Sequence, residues 1–393
     1  MKKRCVFLTG ATGYLGSNLI PEFIKNGCKL KLLVRAKKTS PYKRVEKSLL
    51  KIDDRRLSID EIMQRAEIIE GDITARNLGL SKTVIDSLSK EVTDIFHCAA
   101  AISFDEEKEN MLRKNNIEGT KNVLSFAKLL ESIHFHYMST AYVCGQRNDI
   151  VRENELNIGQ KFNNKYENIK CMAEEIAQKY SSRYNFKATI YRPSVILGDS
   201  RTGKNYSTYG PYGILRIEDI SIRKFKKEFE KGHPVLKKSG AEFINGIFFI
   251  PLRVIGSNSK TLNVITIDYA LEVIIRIFLH SGNAGKTFHI TNSNPPTVRL
   301  LKDCISELLD IEGIEFVGLS EFRKNPMKPW ERIFNKSIGI YTPYLLIDEP
   351  RFDNTNTQNV LKGSNLKQPH FDKDLIIKLL GYSRSGNYGK SRL

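Results

Sequence analysis

Val6-Phe-Leu-Thr-Gly-Ala-Thr-Gly-Tyr-Leu-Gly-Ser17 decides how the rest of the chain is read. Val6, Phe7, Leu8 and Thr9 have strand character and run directly into glycines at positions 10, 13 and 16. Leu15, Leu19, Ile20, Phe23 and Ile24 then recur at helical spacing. Strand, glycine turn and helix in this order form a phosphate cradle. The glycines let the backbone turn tightly and approach a pyrophosphate, while the helix N-terminus aims free N–H groups at the anion. A glycine triplet alone is a weak signal, and here the flanking strand and helix supply the context it needs.

Working outward, Lys29–Arg35 reads as a second strand. About 20 positions beyond such glycines a carboxylate usually takes the adenosine ribose 2′-OH. This chain instead has Arg35, followed by Lys37, Lys38, Lys43 and Arg44. A guanidinium suits a 2′-phosphate through paired, charge-assisted hydrogen bonds, which points to NADPH over NADH. The strand Ala66–Glu70 ends in Gly71-Asp72-Ile73, a turn suited to an adenine ring, and Asp94–Cys98 ends in Ala99-Ala100-Ala101, small residues that let a flat ligand approach. Residues 43–65 and 105–132 read as helical, and Phe135–Ser139 and Ala188–Gly198 as further strands. Alternation at this rhythm predicts an α/β doubly wound parallel sheet.

Tyr166 and Lys170 stand four apart on a predicted helix and so face one way. A cationic lysine stabilises a phenolate, letting tyrosine exchange a proton with a carbonyl or alcohol oxygen near neutral pH. Thr140, at the exit of the preceding strand, offers a hydroxyl to the same oxygen. Tyr-x-x-x-Lys arises often by chance; its weight here comes from lying between the strand that ends at Thr140 and the one that ends at Pro193-Ser194.

Beyond Gly198 the pattern loosens. A basic amphipathic piece covers Ile222–Lys238, strands are expected at Leu262–Ile267, Lys286–Thr291 and Glu315–Val317, and helices near Asp268 and over about 297–309. The expected division is a dinucleotide-binding domain over 1–200, a smaller α+β substrate-binding region over 201–380 interleaved with the last sheet elements at about 262–292, and a polar, disordered tail over 381–393.

The chain has 393 residues, enough for a large α/β domain and a smaller one. Its 62 basic and 44 acidic side chains leave a net charge of +18, which suits an anionic partner or substrate. The basic residues form neither an aromatic-interleaved strand module nor a helix-turn-helix, which argues against nucleic acid. Six cysteines without a Cys-x-x-Cys pair fit a reducing cytoplasm, and neither they nor the seven histidines suggest a metal site. No membrane-spanning run and no cleavable signal are expected.

Gly10-x-x-Gly13-x-x-Gly16, Gly71-Asp72, Ala99–Ala101, Asn116-x-x-Gly119-Thr120, Ser139-Thr140-Ala141, Tyr166-x-x-x-Lys170 and Arg192-Pro193-Ser194 resemble the extended short-chain dehydrogenases/reductases, which have a Rossmann fold. Leu33–Ala36, Ser139–Val143, Leu197–Gly203, Leu262–Val264 with Asp268-Tyr269, and Thr287–Asn292 resemble the thioester-reductase and fatty-acyl reductase branch. The resemblance covers about 1–300. It implies Thr140, Tyr166 and Lys170 as the catalytic set, with Gly10, Thr12, Gly13, Tyr14, Leu15 and Gly16 at the pyrophosphate. Arg35 and Arg44 would hold the 2′-phosphate, Asp72 and Ile73 the adenine, and Ala99, Ala100, Ala101, Asn116, Tyr166, Lys170, Pro193 and Ser194 the remainder of the cofactor.

The branch delivers hydride from NADPH to an acyl thioester on a phosphopantetheine arm, releasing an aldehyde that some members reduce to an alcohol. Many members are fused to adenylation and carrier domains, which these residues do not include. The acyl donor would then be a separate acidic acyl or peptidyl carrier protein, or coenzyme A. Ile169 stands where the branch often has Ser before the catalytic lysine. A nucleotide-sugar epimerase, dehydratase or reductase on the same scaffold is the nearest alternative. A non-catalytic NADPH-binding module is the third.

Overall fold

The computed structural model describes residues 4–52, 58–130 and 133–386. The chain forms two compact units, one of Met1–Ser194, Ile267–Thr291 and Arg351–Lys367, the other of Val195–Thr266, Asn292–Pro350 and Gln368–Leu393. In chain order the strands are β1 (Cys5–Thr9), β2 (Lys29–Val34), β3 (Ala66–Glu70), β4 (Asp94–His97), β5 (His134–Met138), β6 (Ile150–Val151) and β7 (Lys187–Pro193). They continue as β8 (Val195–Leu197), β9 (Glu242–Ile244), β10 (Ile247–Ile255), β11 (Val264–Thr266), β12 (Thr287–Ile290), β13 (Ile311–Val317) and β14 (Arg351–Phe352). Among the described residues no helix is long and apolar enough to cross a membrane.

In the first unit seven parallel strands lie in the order β12-β7-β5-β4-β1-β2-β3. Both faces are covered, which is why β1 reads as a nearly unbroken apolar run and why β7 is buried from Ala188 through Pro193. On one face Phe23, from the helix Tyr14–Lys25, packs edge-on against Phe96 and Phe278 at 5.3 and 4.9 Å between ring centroids. On the other, Phe7 meets Phe126 at 4.9 Å. Each of these rings is fully buried, stabilising the fold by roughly 1.5–3 kcal/mol. After β3 the chain returns to the other side of β1, and the crevice at that reversal is where open α/β sheets bind ligands.

Between 105 and 132 the structure replaces the expected continuous helix with short pieces. A 3₁₀ turn (Glu106–Lys108), an α-turn (Glu109–Leu112) and a π-helical turn (Arg113–Glu118) precede the helix Gly119–Ala127. The π turn coincides with two local constraints. Asn116 clamps the main chain of Ala101 on both sides, and a Cβ at Gly119 would lie 2.8 Å from the Ile73 side chain. The expected strand over 188–198 is also broken, at Ser194: the Ser194 N–H donates to Ile290 and the Val195 N–H to Asn263.

In the second unit β9 and β10 form a hairpin whose turn residues, Asn245 and Gly246, both have positive φ (51° and 84°), as a two-residue primed turn requires. β13 pairs parallel to β10, and β11 to β8. The basic piece expected over 222–238 is the second half of the helix Pro211–Glu230 plus the turn Pro234–Lys237.

The tail expectation is corrected in part. A helix spans Lys373–Ser385, capped by Asp372, with Ile376, Leu379 and Leu380 fully buried and Arg384 donating to the Leu308 carbonyl. Residues 381–385 are therefore its last turn, held by packing that begins one turn earlier. Residues 387–393, like 53–57 and 131–132 of the expected helices, lie outside the described residues.

Candidate active site

Every residue the sequence marks for cofactor or catalysis lies in the first unit. Gly10 has a φ of +77°, and a Cβ there would lie 2.7 Å from the Ala99 nitrogen; a Cβ at Gly16 would lie 2.2 Å from the Gly10 carbonyl oxygen. The turn is closed by a 2.9 Å bond from the Gly13 N–H to Gly10 C=O. The helix Tyr14–Lys25 begins at Gly13 with no side-chain cap and no acidic residue in its first turn. A helix N-terminus with neither a side-chain cap nor a first-turn carboxylate suits a bound phosphate.

At the end of β2, Arg44 donates to the Arg35 carbonyl and, at 3.3 Å, to Thr12 Oγ1. Burial, and then the neighbouring Arg35 charge, lower the pKa of Arg44. Asp72 lies 3.6 Å from Arg35 and accepts from the N–H and hydroxyl of Thr74. Two neighbouring guanidiniums that feel each other's charge, answered only partly by one carboxylate, leave a locus of positive charge.

Ala101 and Tyr166 pack against the same small cluster, Leu112, Ile117 and Ile169, and the Tyr166 ring lies 6.1 Å from that of Phe104. Asn116 spends its side-chain amide on Ala101, accepting at 2.7 Å and donating at 2.9 Å, so it shapes that wall through Ala101. Thr140 accepts from the Tyr142 N–H at 3.3 Å, which leaves its own O–H to donate. Ser194, next to Pro193 at the end of β7, has a buried Oγ with no hydrogen-bond partner. An orphaned hydroxyl there fits a site completed by a ligand.

Lys170, one turn beyond Tyr166 on the helix Lys165–Tyr184, is only 2% exposed. It donates to the Tyr137 hydroxyl at 3.0 Å and to the Met138 carbonyl at 2.8 Å. Burial pulls its pKa down to about 8, against the pull of Glu174 and Cys98. Tyr137 escaped the sequence reading, because a tyrosine inside an apolar strand looks like core. So did the buried bonds linking His97 to Thr9 (2.7 Å) and Thr120 (3.1 Å). Arg192 also has a buried partner, Glu174 at 2.6 Å, and Ser139 donates to the same carboxylate at 2.5 Å.

The sequence reading expected no metal cluster, but Asp94, His134 and His136 come within 4.8 Å of one another. The two histidines are spaced i, i+2 on one strand, a spacing that shares a face. Their contacts are already with protein: Arg4 pairs with both Asp94 oxygens, His136 meets Tyr191 at 2.9 Å, and His134 meets Thr189 at 2.8 Å.

Residues 8–231, more than half of the chain, match the profile of an NAD-binding family described as male sterility protein. A nonribosomal peptide synthetase, asaC of Aspergillus flavus, is 24% identical over 357 residues, covering 87% of this chain and 30% of that protein. Fatty acyl-CoA reductase 1 of Gallus gallus is 29% identical over 224 residues, covering 49% of this chain and 43% of that protein. The chain thus spans less than half the length of either relative. Among solved structures, the terminal R domain from the myxalamid PKS-NRPS biosynthetic pathway superposes with a TM-score of 0.76 at 23% identity, covering 99% of this chain and 92% of that one. UDP-glucuronic acid 4-epimerase of Bacillus cereus, in complex with NAD, gives 0.62 at 16% identity, with 99% of each chain covered. The chain belongs to the NAD-binding family described as male sterility protein.

Proposed function

We propose that the protein is an NADPH-dependent reductase of acyl thioesters, acting on an acyl group carried by coenzyme A or an acidic carrier protein and yielding an aldehyde or an alcohol. The observation that carries the reading is Lys170, buried one helical turn from Tyr166 beneath the strand end that presents Thr140. The residues fit the dinucleotide: an uncapped helix N-terminus for the pyrophosphate, the neighbouring Arg35 and Arg44 charges for a 2′-phosphate, and the unpartnered Ser194 hydroxyl at the far end. When bound, the nicotinamide supplies the hydride.

The chain's own task is to stabilise charge on the substrate oxygen. The Tyr166 and Thr140 hydroxyls donate to the acyl carbonyl oxygen as negative charge develops there, the preorganised arrangement worth most in a site that excludes water. The Lys170 ammonium keeps positive charge beside Tyr166 and so favours release of its proton. Gly10 and Gly16, Thr12, Tyr14 and Leu15 bind the pyrophosphate, Arg35 and Arg44 the 2′-phosphate, and Asp72 and Ile73 border the adenine. Ala99–Ala101 and Pro193 wall the nicotinamide. Arg223, Lys224, Lys227, Lys231, Lys237 and Lys238 are exposed and would meet the acidic donor electrostatically.

The test is NADPH oxidation by the purified full chain with acyl-CoA and acyl-carrier substrates, with free thiol measured in parallel. Thiol release matched to NADPH consumed supports the reading, and no consumption with any acyl thioester refutes it. The same fold occurs in epimerases with NAD; the Arg35–Arg44 pair favours the phosphorylated cofactor here.

A further inference from the structure

We propose that Tyr137 is a positioning residue for Lys170, whose ammonium its buried hydroxyl holds through a hydrogen-bond chain in which each proton has a fixed place. The inference rests on the functional reading above, which gives Lys170 its task.

Lys170 has three N–H donors. One goes to the Tyr137 hydroxyl at 3.0 Å and one to the Met138 carbonyl at 2.8 Å, leaving the third for a ligand. The ammonium also sits 4.4 Å from the centroid of the Tyr137 ring, so the ring adds a cation–π contact. Behind Tyr137 the direction of each bond follows from the acceptors. Thr120 gives its only proton to the Asn116 carbonyl at 2.6 Å, so its oxygen receives from His97 Nε2 at 3.1 Å and from the Tyr137 hydroxyl. His97 is neutral, its pKa driven down to about 3 by burial and by Lys170. Its Nδ1 therefore accepts from Thr9 at 2.7 Å, and Thr9 in turn accepts from the Ala99 N–H at 3.2 Å. The chain ends at a main-chain carbonyl and a main-chain N–H. It cannot pass protons along; it is a clamp that turns the oxygen of Tyr137 toward Lys170.

The titratable groups facing Lys170 leave this hydroxyl much to do. His97 ends β4 and Cys98 follows it, and both are held neutral by burial. Tyr166 and Glu174 lie on the helix of Lys170 itself, and Glu174 is shared with Arg192 of β7 and Ser139. Among the described residues no carboxylate bonds to Lys170: Glu174 opposes burial through its charge alone, and the acceptors the ammonium touches are the Tyr137 hydroxyl and the Met138 carbonyl. Removing the hydroxyl lets burial act with less opposition, and Lys170 loses its charge at lower pH.

The experiment uses full-length wild type, Tyr137→Phe and Thr120→Val. NADPH binding is measured by fluorescence and NADPH oxidation with an acyl-CoA, each from about pH 6 to about pH 9.5, beside melting temperatures. Tyr137→Phe keeps the ring and should bind NADPH like wild type at the acid end. Its basic limb should move down by about one pH unit in both binding and kcat, a fall approaching tenfold near pH 8. Thr120→Val, which leaves the Tyr137 oxygen in place, should move it less. A limb that does not move in Tyr137→Phe overturns the proposal and makes Tyr137 a core filler. Should that variant not fold, an unmoved limb in Thr120→Val overturns it instead. If wild type binds NADPH but reduces no acyl thioester, the functional reading fails, and the binding limb alone still decides the role of Tyr137.

Discussion

Replacing Arg44 with Leu separates NADPH from NADH binding. The Arg44 guanidinium is half-buried, bonded to the Arg35 carbonyl and to Thr12 Oγ1, and its pKa is lowered by burial and by the Arg35 charge. Two cations kept this close repel each other, and an anion between them turns that repulsion into binding energy. A charge-assisted hydrogen bond contributes about 1.5–3 kcal/mol. Solvent screening at this half-exposed site argues for the lower end, about 1.5–2 kcal/mol, or roughly 10- to 30-fold in the NADPH Kd. NADH has a hydroxyl in place of the phosphate, and its Kd should change by less than about threefold. Leu preserves the aliphatic packing, so the melting temperature should stay close to wild type. Fluorescence titration with both dinucleotides at low and high salt measures the ratio, and the variant should lose part of the salt dependence of NADPH binding. Equal weakening of both cofactors, or an unchanged ratio, would refute the reasoning and leave Arg44 as a brace for Thr12.

Tyr166→Phe should lower kcat by about 10²- to 10⁴-fold while NADPH Kd stays within about threefold, as expected for a proton donor; unchanged turnover would remove Tyr166 from the catalytic set. Gly16→Ala places a Cβ 2.2 Å from the Gly10 carbonyl oxygen and should cost about 1–3 kcal/mol in urea unfolding along with cofactor affinity, whereas wild-type values would mean the turn is free to shift. Glu218 is buried, 8% exposed, and burial raises its carboxyl to about 8. Because the folded pKa lies above the unfolded one, the stability involved is complete below about pH 4.5 and is lost as pH rises through about 8, up to roughly 4–5 kcal/mol in all. Glu218→Gln should therefore melt increasingly above wild type as pH rises from about 5 to about 9, and a pH-independent difference would show that Glu218 does not titrate there.

Through Ser194 the order of strands and helices was legible because each element announces itself locally: continuous apolar runs for covered strands, helical spacing in Leu19, Ile20, Phe23 and Ile24, glycines where the backbone must turn. The place of Arg35 just past β2 was legible for the same reason, by its offset from Gly10. What escaped depends on contacts distant in sequence. The π turn coincides with Asn116 gripping Ala101 and with Gly119 lying where a Cβ would crowd Ile73. The last helical turn at 381–385 looks polar because its anchoring residues precede it and Arg384 finds its partner at Leu308. Tyr137 and His97 have the polarity of a site and the position of a core, and only the bonds across β4, β5 and the helix that carries Lys170 distinguish the two. The Asp94–His134–His136 cluster likewise needs two neighbouring strands to exist.

The sheet order has a consequence for biosynthesis. β7 ends at Pro193, and its outer neighbour β12 begins at Thr287, roughly ninety residues later. At about 5–20 residues per second, the ribosome leaves that inner strand without its edge partner for roughly 5–20 seconds. Throughout that interval β7 is an open edge, the template on which one nascent chain pairs with another. Shortening the gene at the end of the first continuous segment would make the transient state permanent. Expression of such a fragment should demand chaperones that the whole chain does not.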